Sequence, residues 1–292
     1  MKKLLFPLCM LLLLFFCILQ PAKAISGAAA GLSLWYCTLL PTLLPCMVLS
    51  GYLISSELIL RLPPAPFAFL TGWFCGYPMG AKTIADLWKH GRLSEASAKR
   101  LLVLCCVPSP MFLTGFLCTG MLRLPLSEAV PCLAALYLPP VLCWLITCFW
   151  NRGSLPGTGP ISEEKPSGSL SAFFLFEKAM MNGFLIIAKV GGYLMFFTML
   201  SYFFRDQVKN PFFASLIPGI FEMTSGIAFT VQSGLSRTLT VALCFSFAAF
   251  GGLSGAAQTI SVLEGTPFSG RRYLLWKLLQ ASVTFFLIWI IL

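Results

Sequence analysis

Charge is scarce in this sequence. Of 292 residues only 10% are Asp, Glu, Lys or Arg, against about 25% in soluble domains. Histidine occurs once, as His90, which excludes metalloproteases built on histidine pairs. The only aspartates are Asp86 and Asp206. Both are read as lying in polar loops, so the two aspartates that intramembrane peptide hydrolysis requires are not at hand. There is no Walker loop and no GxSxG elbow. The twelve cysteines form no CxxC pair and lie nearly all in apolar runs, where cysteine behaves as a small hydrophobe. No metal site and no cofactor is therefore expected, and no enzymatic activity.

What is abundant is apolar side chain. Hydrophobic residues make up 58% of the chain and mean hydropathy is +0.87. Many stretches approach or exceed the ~20 apolar residues a helix needs to cross a bilayer. The expected fold class is all-α, a polytopic helical membrane protein of about seven to nine spans with two pseudo-repeats and broken or re-entrant helices. Its first partner is the lipid bilayer. The net charge of +10 sits in short loops beside apolar spans, where it sets orientation, and nothing resembles a nucleic-acid-reading fold.

Met1–Lys3 followed by Leu4–Leu19 has the look of a signal peptide, with Ala22-Lys23-Ala24 as a cleavage site. A retained first span is the favoured reading, because its apolar core is long. A second span, about 27–53, carries Pro41 and Pro45; a short polar stretch with Glu57 and Arg61 follows. Residues 63–80 are too punctuated by Pro and Gly for a plain span and predict a re-entrant hairpin or a broken helix. Residues 81–90 predict a polar helix closed by Gly91, and Ser94 caps the next helix, about 96–122, which Pro108-Ser109-Pro110 interrupts. Lys89, Arg92, Lys99 and Arg100 make this the most basic loop, expected in the cytoplasm. Ala129–Trp150 is an uninterrupted span with no evident counterpart. Residues 151–169 form the one Gly/Pro/Ser-rich solvated linker. Further spans are expected near 178–204, 211–231, 238–263 and 273–292.

The halves align at an offset of 176 residues. Phe69–Leu87 over Phe245–Leu263 matches Phe74/Phe250, Gly76/Gly252, Thr83/Thr259 and Ile84/Ile260 without a gap. This divides the chain into a first membrane repeat plus linking span (1–150), a linker (151–170) and a second repeat (171–292). If the Gly-rich segments are hairpins, the halves run parallel with seven spans; if they cross, the halves are inverted with nine. Duplicated halves with broken helices in corresponding positions point to a transporter site.

Three clusters are the candidate binding residues. The first is Gly76, Tyr77, Pro78, Gly80 and Lys82, where an unwound helix aims backbone groups at a polar ligand. The second is Glu222 with Thr224 and Ser225: a carboxylate among apolar neighbours marks a site or a proton path by default, and Lys189 is its natural ion-pair partner. The third is Gly252 and Gln258. Small-residue packing is the competing reading for the first and third clusters.

On Gly76-Tyr77-Pro78-Met79-Gly80-Ala81-Lys82 and the segment that follows, on Phe221-Glu222-Met223-Thr224-Ser225-Gly226, and on Phe250-Gly251-Gly252-Leu253-Ser254-Gly255, the chain resembles the sporulation integral membrane protein family of the YlbJ type, in the nucleoside-recognition (Gate) superfamily. The likeness runs from the first span to the last. It implies a multi-pass protein in the cell membrane of a spore-forming Gram-positive bacterium, in the forespore or mother-cell membrane, with a transporter-like core. Cys105–Pro110 departs from the family's Asn and Gly-Pro, and Gly255-Ala256 from a pattern with histidine. Two readings of function stand: a secondary transporter-like protein for a small polar solute, nucleoside-like or similar, and a non-transporting protein supporting spore-envelope assembly. A homo-oligomer is compatible with either.

Overall fold

The computed structural model of the protein describes residues 2–55, 63–150, 171–205 and 208–292. The expected linker, Glu57, Arg61 and Asp206 lie outside them. The described residues are helical wherever they are regular. Helix α1 (Lys2–Leu19) turns by 108° into α2 (Pro21–Leu34), and the Phe16 ring leans on Phe203. Helix α2 continues through a π turn (Trp35–Leu39) into α3 (Leu40–Ser55). The widened turn precedes Pro41, which has no N–H to return to the preceding turn.

The rest of the first half is a helical pair, α4 (Pro64–Cys75) and α5 (Met79–Lys89), then α6 (Glu95–Cys105), a π stretch (Phe112–Met121) and the long α7 (Leu126–Trp150). The second half holds α8 (Ala172–Arg205), the pair α9 (Pro211–Phe221) and α10 (Met223–Val231), then α11 (Arg237–Phe250), α12 (Gly252–Val262) and α13 (Gly270–Ile291). Boundaries follow local chemistry. Pro21, Pro64 and Pro211 open their helices at the position where a missing N–H costs nothing. The Ser94 hydroxyl accepts the Ser97 N–H at 3.2 Å, as expected. At the end of α5, Gly91 N–H donates to Trp88 O and Arg92 N–H to Leu87 O, both at 2.9 Å. This pair of bonds satisfies the terminal carbonyls.

Helices α2 and α3 lie antiparallel to α8. Gly27 and Gly31, one turn apart, face Met199 and Met195 so closely that a Cβ on either would stand 2.7 Å from a backbone atom. Backbone-to-backbone packing through small residues is how helices adhere in lipid.

Both short pairs are hairpins. A Cβ on Gly80 would lie 2.9 Å from the Gly72 Cα, and one on Gly226 2.2 Å from the Gly219 Cα. By contrast, α11 and α12 run on as one apolar element of 26 residues, Arg237–Val262. This corrects the sequence alignment at an offset of 176: it pairs a hairpin with a through-running broken helix. The architectural order in each half is hairpin, broken helix, long helix. Hairpin α4–α5 thus corresponds to α9–α10, α6 and its π stretch to α11–α12, and α7, which had no counterpart in sequence, to α13. On that pairing Tyr77 matches Glu222 and Cys106 matches Gly251, both 145 positions apart.

The sense of the two halves follows from contacts at the bundle's ends. Hairpin α4–α5 opens where Lys89 Nζ donates to Glu264 O at 3.3 Å and Trp88 packs on Phe268. Hairpin α9–α10 opens at the opposite end, where Arg237 meets Glu128 at 2.7 Å. The hairpins enter from opposite ends, so the halves are inverted. Neither expected coupling applies, because of the two aligned Gly-rich segments one is a hairpin and the other runs through. Among the described residues, four helices are long and apolar enough to cross a membrane, or five counting the bent α1–α2 pair; further passes of the expected seven to nine would come from interrupted elements. Lys89, Arg92, Lys99, Arg100, Arg271 and Arg272 lie at one end of the bundle.

Candidate functional site at the crossing of the helix breaks

Four helix interruptions meet inside the bundle, and each arises from its own residues. At the first hairpin tip Gly76 takes φ +75°, open to glycine without penalty, and Pro78, whose peptide bond with Tyr77 is cis, precedes α5. The chain then rests on the second interruption, Cys106–Ser109: Tyr77 N–H donates to Val107 O at 3.1 Å. Gly80 lies so close to this strand of backbone that a Cβ would stand 2.2 Å from Cys105 O.

At the second hairpin tip the break is held by one side chain. Glu222 has extended backbone (φ −150°, ψ 125°) and caps α10. Its Oε2 accepts the Ser225 N–H at 2.7 Å and the Thr224 hydroxyl. Ser225 donates its own hydroxyl to Glu222 O at 3.2 Å. The carboxylate is only 3% exposed. The fourth interruption is Gly251, φ +83°, between α11 and α12. Gly252 lies against the Glu222 backbone, with a Cβ placed 3.1 Å from the Glu222 Cα.

Tyr77 ties the halves together. Its hydroxyl sits on the Met223 sulfur and 3.3 Å from Ala248 O, and its ring lies against Gly251 and Gly255. Near the same ring is Lys277 of α13, 2% exposed. Its Nζ is 5.4 Å from the ring centroid and donates to Cys106 O at 2.9 Å. The ammonium is thus held by a carbonyl freed at the second interruption and by the face of an aromatic ring, which attracts a cation. Gln280, one turn on, donates to Val103 O at 2.9 Å. Two buried ionisable groups, Glu222 and Lys277, therefore lie where the breaks converge, Lys277 over the Tyr77 ring and Glu222 beside Met223, on which the Tyr77 hydroxyl rests.

Of the residues singled out from sequence, Gly76, Tyr77, Pro78, Gly80, Glu222, Thr224, Ser225 and Gly252 come together here. Lys82 does not: it is partly exposed on α5 and pairs with Asp86 at 2.6 Å, one turn on. The Asp86 carboxylate accordingly lies on a helix rather than in a loop. Gln258 is buried further along α12, donating to Ser254 at 3.1 Å. Lys189 is exposed on α8 and makes no ion pair with Glu222, whose carboxylate is occupied by its own capping turn. The natural partner proposed for it is thus replaced by local hydroxyl and amide donors. Lys277, Gln280 and Met223 were overlooked. Lys277 was legible: a lysine in the apolar run 273–292 is as anomalous as the glutamate that drew notice.

Over 321 aligned positions the chain is 25% identical to the sporulation integral membrane protein YlbJ of Bacillus subtilis (strain 168), covering 92% of this chain and 78% of that protein. No family model and no solved structure matches.

Proposed function

We propose, from its likeness to the sporulation integral membrane protein YlbJ, that this chain is a YlbJ-type integral membrane protein that acts in sporulation as a secondary transporter-like protein for a small polar solute. The observation that carries this reading is a pair of buried ionisable side chains, Glu222 and Lys277, at the junction of two oppositely inserted hairpins, with Lys277 over the Tyr77 ring and the Tyr77 hydroxyl on Met223, the residue after Glu222. Ionisable groups at such depth are costly and mark substrate or ion paths. Interrupted helices meeting between inverted halves supply the backbone donors and acceptors that bind a polar solute. In this arrangement Tyr77 and the backbone at Gly76 and Gly252 contact the solute. Glu222 answers the solute or a coupling proton, and Lys277 supplies the opposite charge. Alternating access then amounts to each hairpin opening toward its own end.

The dense glycine packing around Tyr77 favours a second reading, a membrane protein that supports spore-envelope assembly without transporting anything. Liposome flux separates the two. Purified protein is screened for thermal stabilisation by nucleosides, bases, amino acids and dicarboxylates, and the stabilising class is then tested for uptake. We expect one class to stabilise and to be taken up, with both effects lost in Glu222→Gln and Lys277→Met. A flat panel with well-folded protein refutes transport and leaves the assembly role.

A further inference from the structure

Beside the crossing, at the basic end of the bundle, a cavity of about 210 Å³ opens between α6, the α12–α13 connection and α13. Lys99, Ser269, Arg272, Tyr273, Lys277 and Gln280 are among the residues that line it. Three of these are cations and none is acidic. Of the cations, Lys99 also pairs with Glu95 one turn away on the exposed face of α6. Lys277 sends one of its three donors to Cys106 O and Gln280 spends its amide on Val103 O. The Gln280 Oε1 is buried with no hydrogen-bond partner, on a side chain 1% exposed. A buried acceptor left unmatched is destabilising, and a hydroxyl from a ligand would satisfy it.

The cavity does not end in water alone. A shallow groove lined by Arg272, Leu275, Trp276 and Leu279 shares Arg272 and Trp276 with it. Leu275 and Leu279 are exposed on the outer face of α13, where acyl chains run. One ligand chemistry matches this layout: an anionic group among three cations, a hydroxyl reaching Gln280, and an apolar tail leaving past Trp276.

We propose that the cavity is a binding site for an anionic phospholipid of the phosphatidylglycerol kind. The phosphate sits between Arg272, Lys99 and the Ser269 hydroxyl, the glycerol hydroxyls point toward Gln280 Oε1 and Lys277, and the chains lie along Leu275 and Leu279. Basic pockets between spanning helices at the cytoplasmic side bind such headgroups. Because Lys277 also holds Cys106 O and the Tyr77 ring, an occupied site reinforces the crossing from the lipid side.

The test is thermal unfolding of the full chain in detergent, titrated with phosphatidylglycerol, with phosphatidylcholine and with glycerol 3-phosphate. Phosphatidylglycerol alone is expected to raise the midpoint of unfolding, saturably. Arg272→Ala should move the half-saturating lipid concentration at least tenfold, and Gln280→Leu should do likewise. Arg271→Ala, its exposed neighbour outside the cavity lining, should leave it unchanged. Arg272 is itself exposed, so its variant is expected to fold even if the Gln280 variant does not. Equal stabilisation by phosphatidylcholine, or equal loss in the two arginine variants, overturns the site as a specific one. Equal stabilisation by glycerol 3-phosphate overturns the lipid and leaves a soluble anion. None of these outcomes depends on solute flux, so this proposal and the transport reading fail separately.

Discussion

The two hairpin tips solve one problem in different ways. Each must reverse the chain inside an apolar bundle and satisfy the backbone groups it frees. The first tip relies on its neighbours: Gly76 bends back, Tyr77 N–H goes to Val107 O, and Gly80 seats the arm on Cys105. The second relies on itself, with the Glu222 carboxylate closing the start of α10. The first tip is therefore sensitive to any bulk added beside it. The second is sensitive to one functional group and leaves a charge at the crossing, and the cation opposite, Lys277, comes from α13 of the same half.

The largest effect expected follows from bulk. Gly80→Ala drives a methyl into Cys105 O and Gly226→Ala drives one into the Gly219 backbone, each placed 2.2 Å from its obstacle. Backbone cannot swing aside as a side chain does, so each change is expected to cost about 3 kcal/mol or more. Both should appear as loss of folded protein in detergent. Gly192→Ala, with nothing within 4 Å of its Cβ, should unfold at the parental temperature. If all three behave alike, close hairpin packing is not what holds the tips.

A smaller effect separates the two means of satisfying the backbone. Glu222→Ala removes the cap and should cost about 1–2 kcal/mol, while Glu222→Gln keeps an acceptor and should recover most of it. Tyr77→Phe leaves the ring on Gly251 and Gly255 and removes only the hydroxyl, for about 1 kcal/mol. Thermal unfolding of the three variants checks the order. A Gln variant as unstable as the Ala variant would show that charge, not capping geometry, matters at the second tip.

The smallest change is expected at Lys82. Its pair with Asp86 is partly exposed and lies along one helix, so Lys82→Met should move stability by no more than about 0.5 kcal/mol. It should also leave any ligand-induced stabilisation intact. A loss there would return Lys82 to the site.

Glu222 was legible because a carboxylate among apolar residues is anomalous wherever it sits. Gly76-Tyr77-Pro78 was legible because Gly and Pro interrupt helices by their own geometry. The correspondence of the halves was not. Phe69–Leu87 and Phe245–Leu263 share Phe, Gly, Thr and Ile, yet one segment folds back and the other runs on. Identities between Gly-rich apolar stretches report composition, whereas a hairpin is declared by Gly72 meeting Gly80 and Gly219 meeting Gly226, contacts that close only when the arms pack. Gly27 and Gly31, four residues apart, were readable as a packing face and passed unnoticed. Lys189 was assigned to Glu222 because both looked buried, but which face of α8 is turned outward depends on the neighbours of that helix.

By itself the sequence determined that this protein lives in a bilayer, because apolar content and sparse charge need no fold to be counted. It determined too where its helices break, because proline and positive-φ glycine act locally. Tertiary structure alone decided which breaks meet, that the halves are inverted, and that Lys277 rather than Lys82 or Lys189 is the buried lysine at the crossing. Those outcomes depend on how helices pack through space, and packing joins residues that sequence separation keeps far apart.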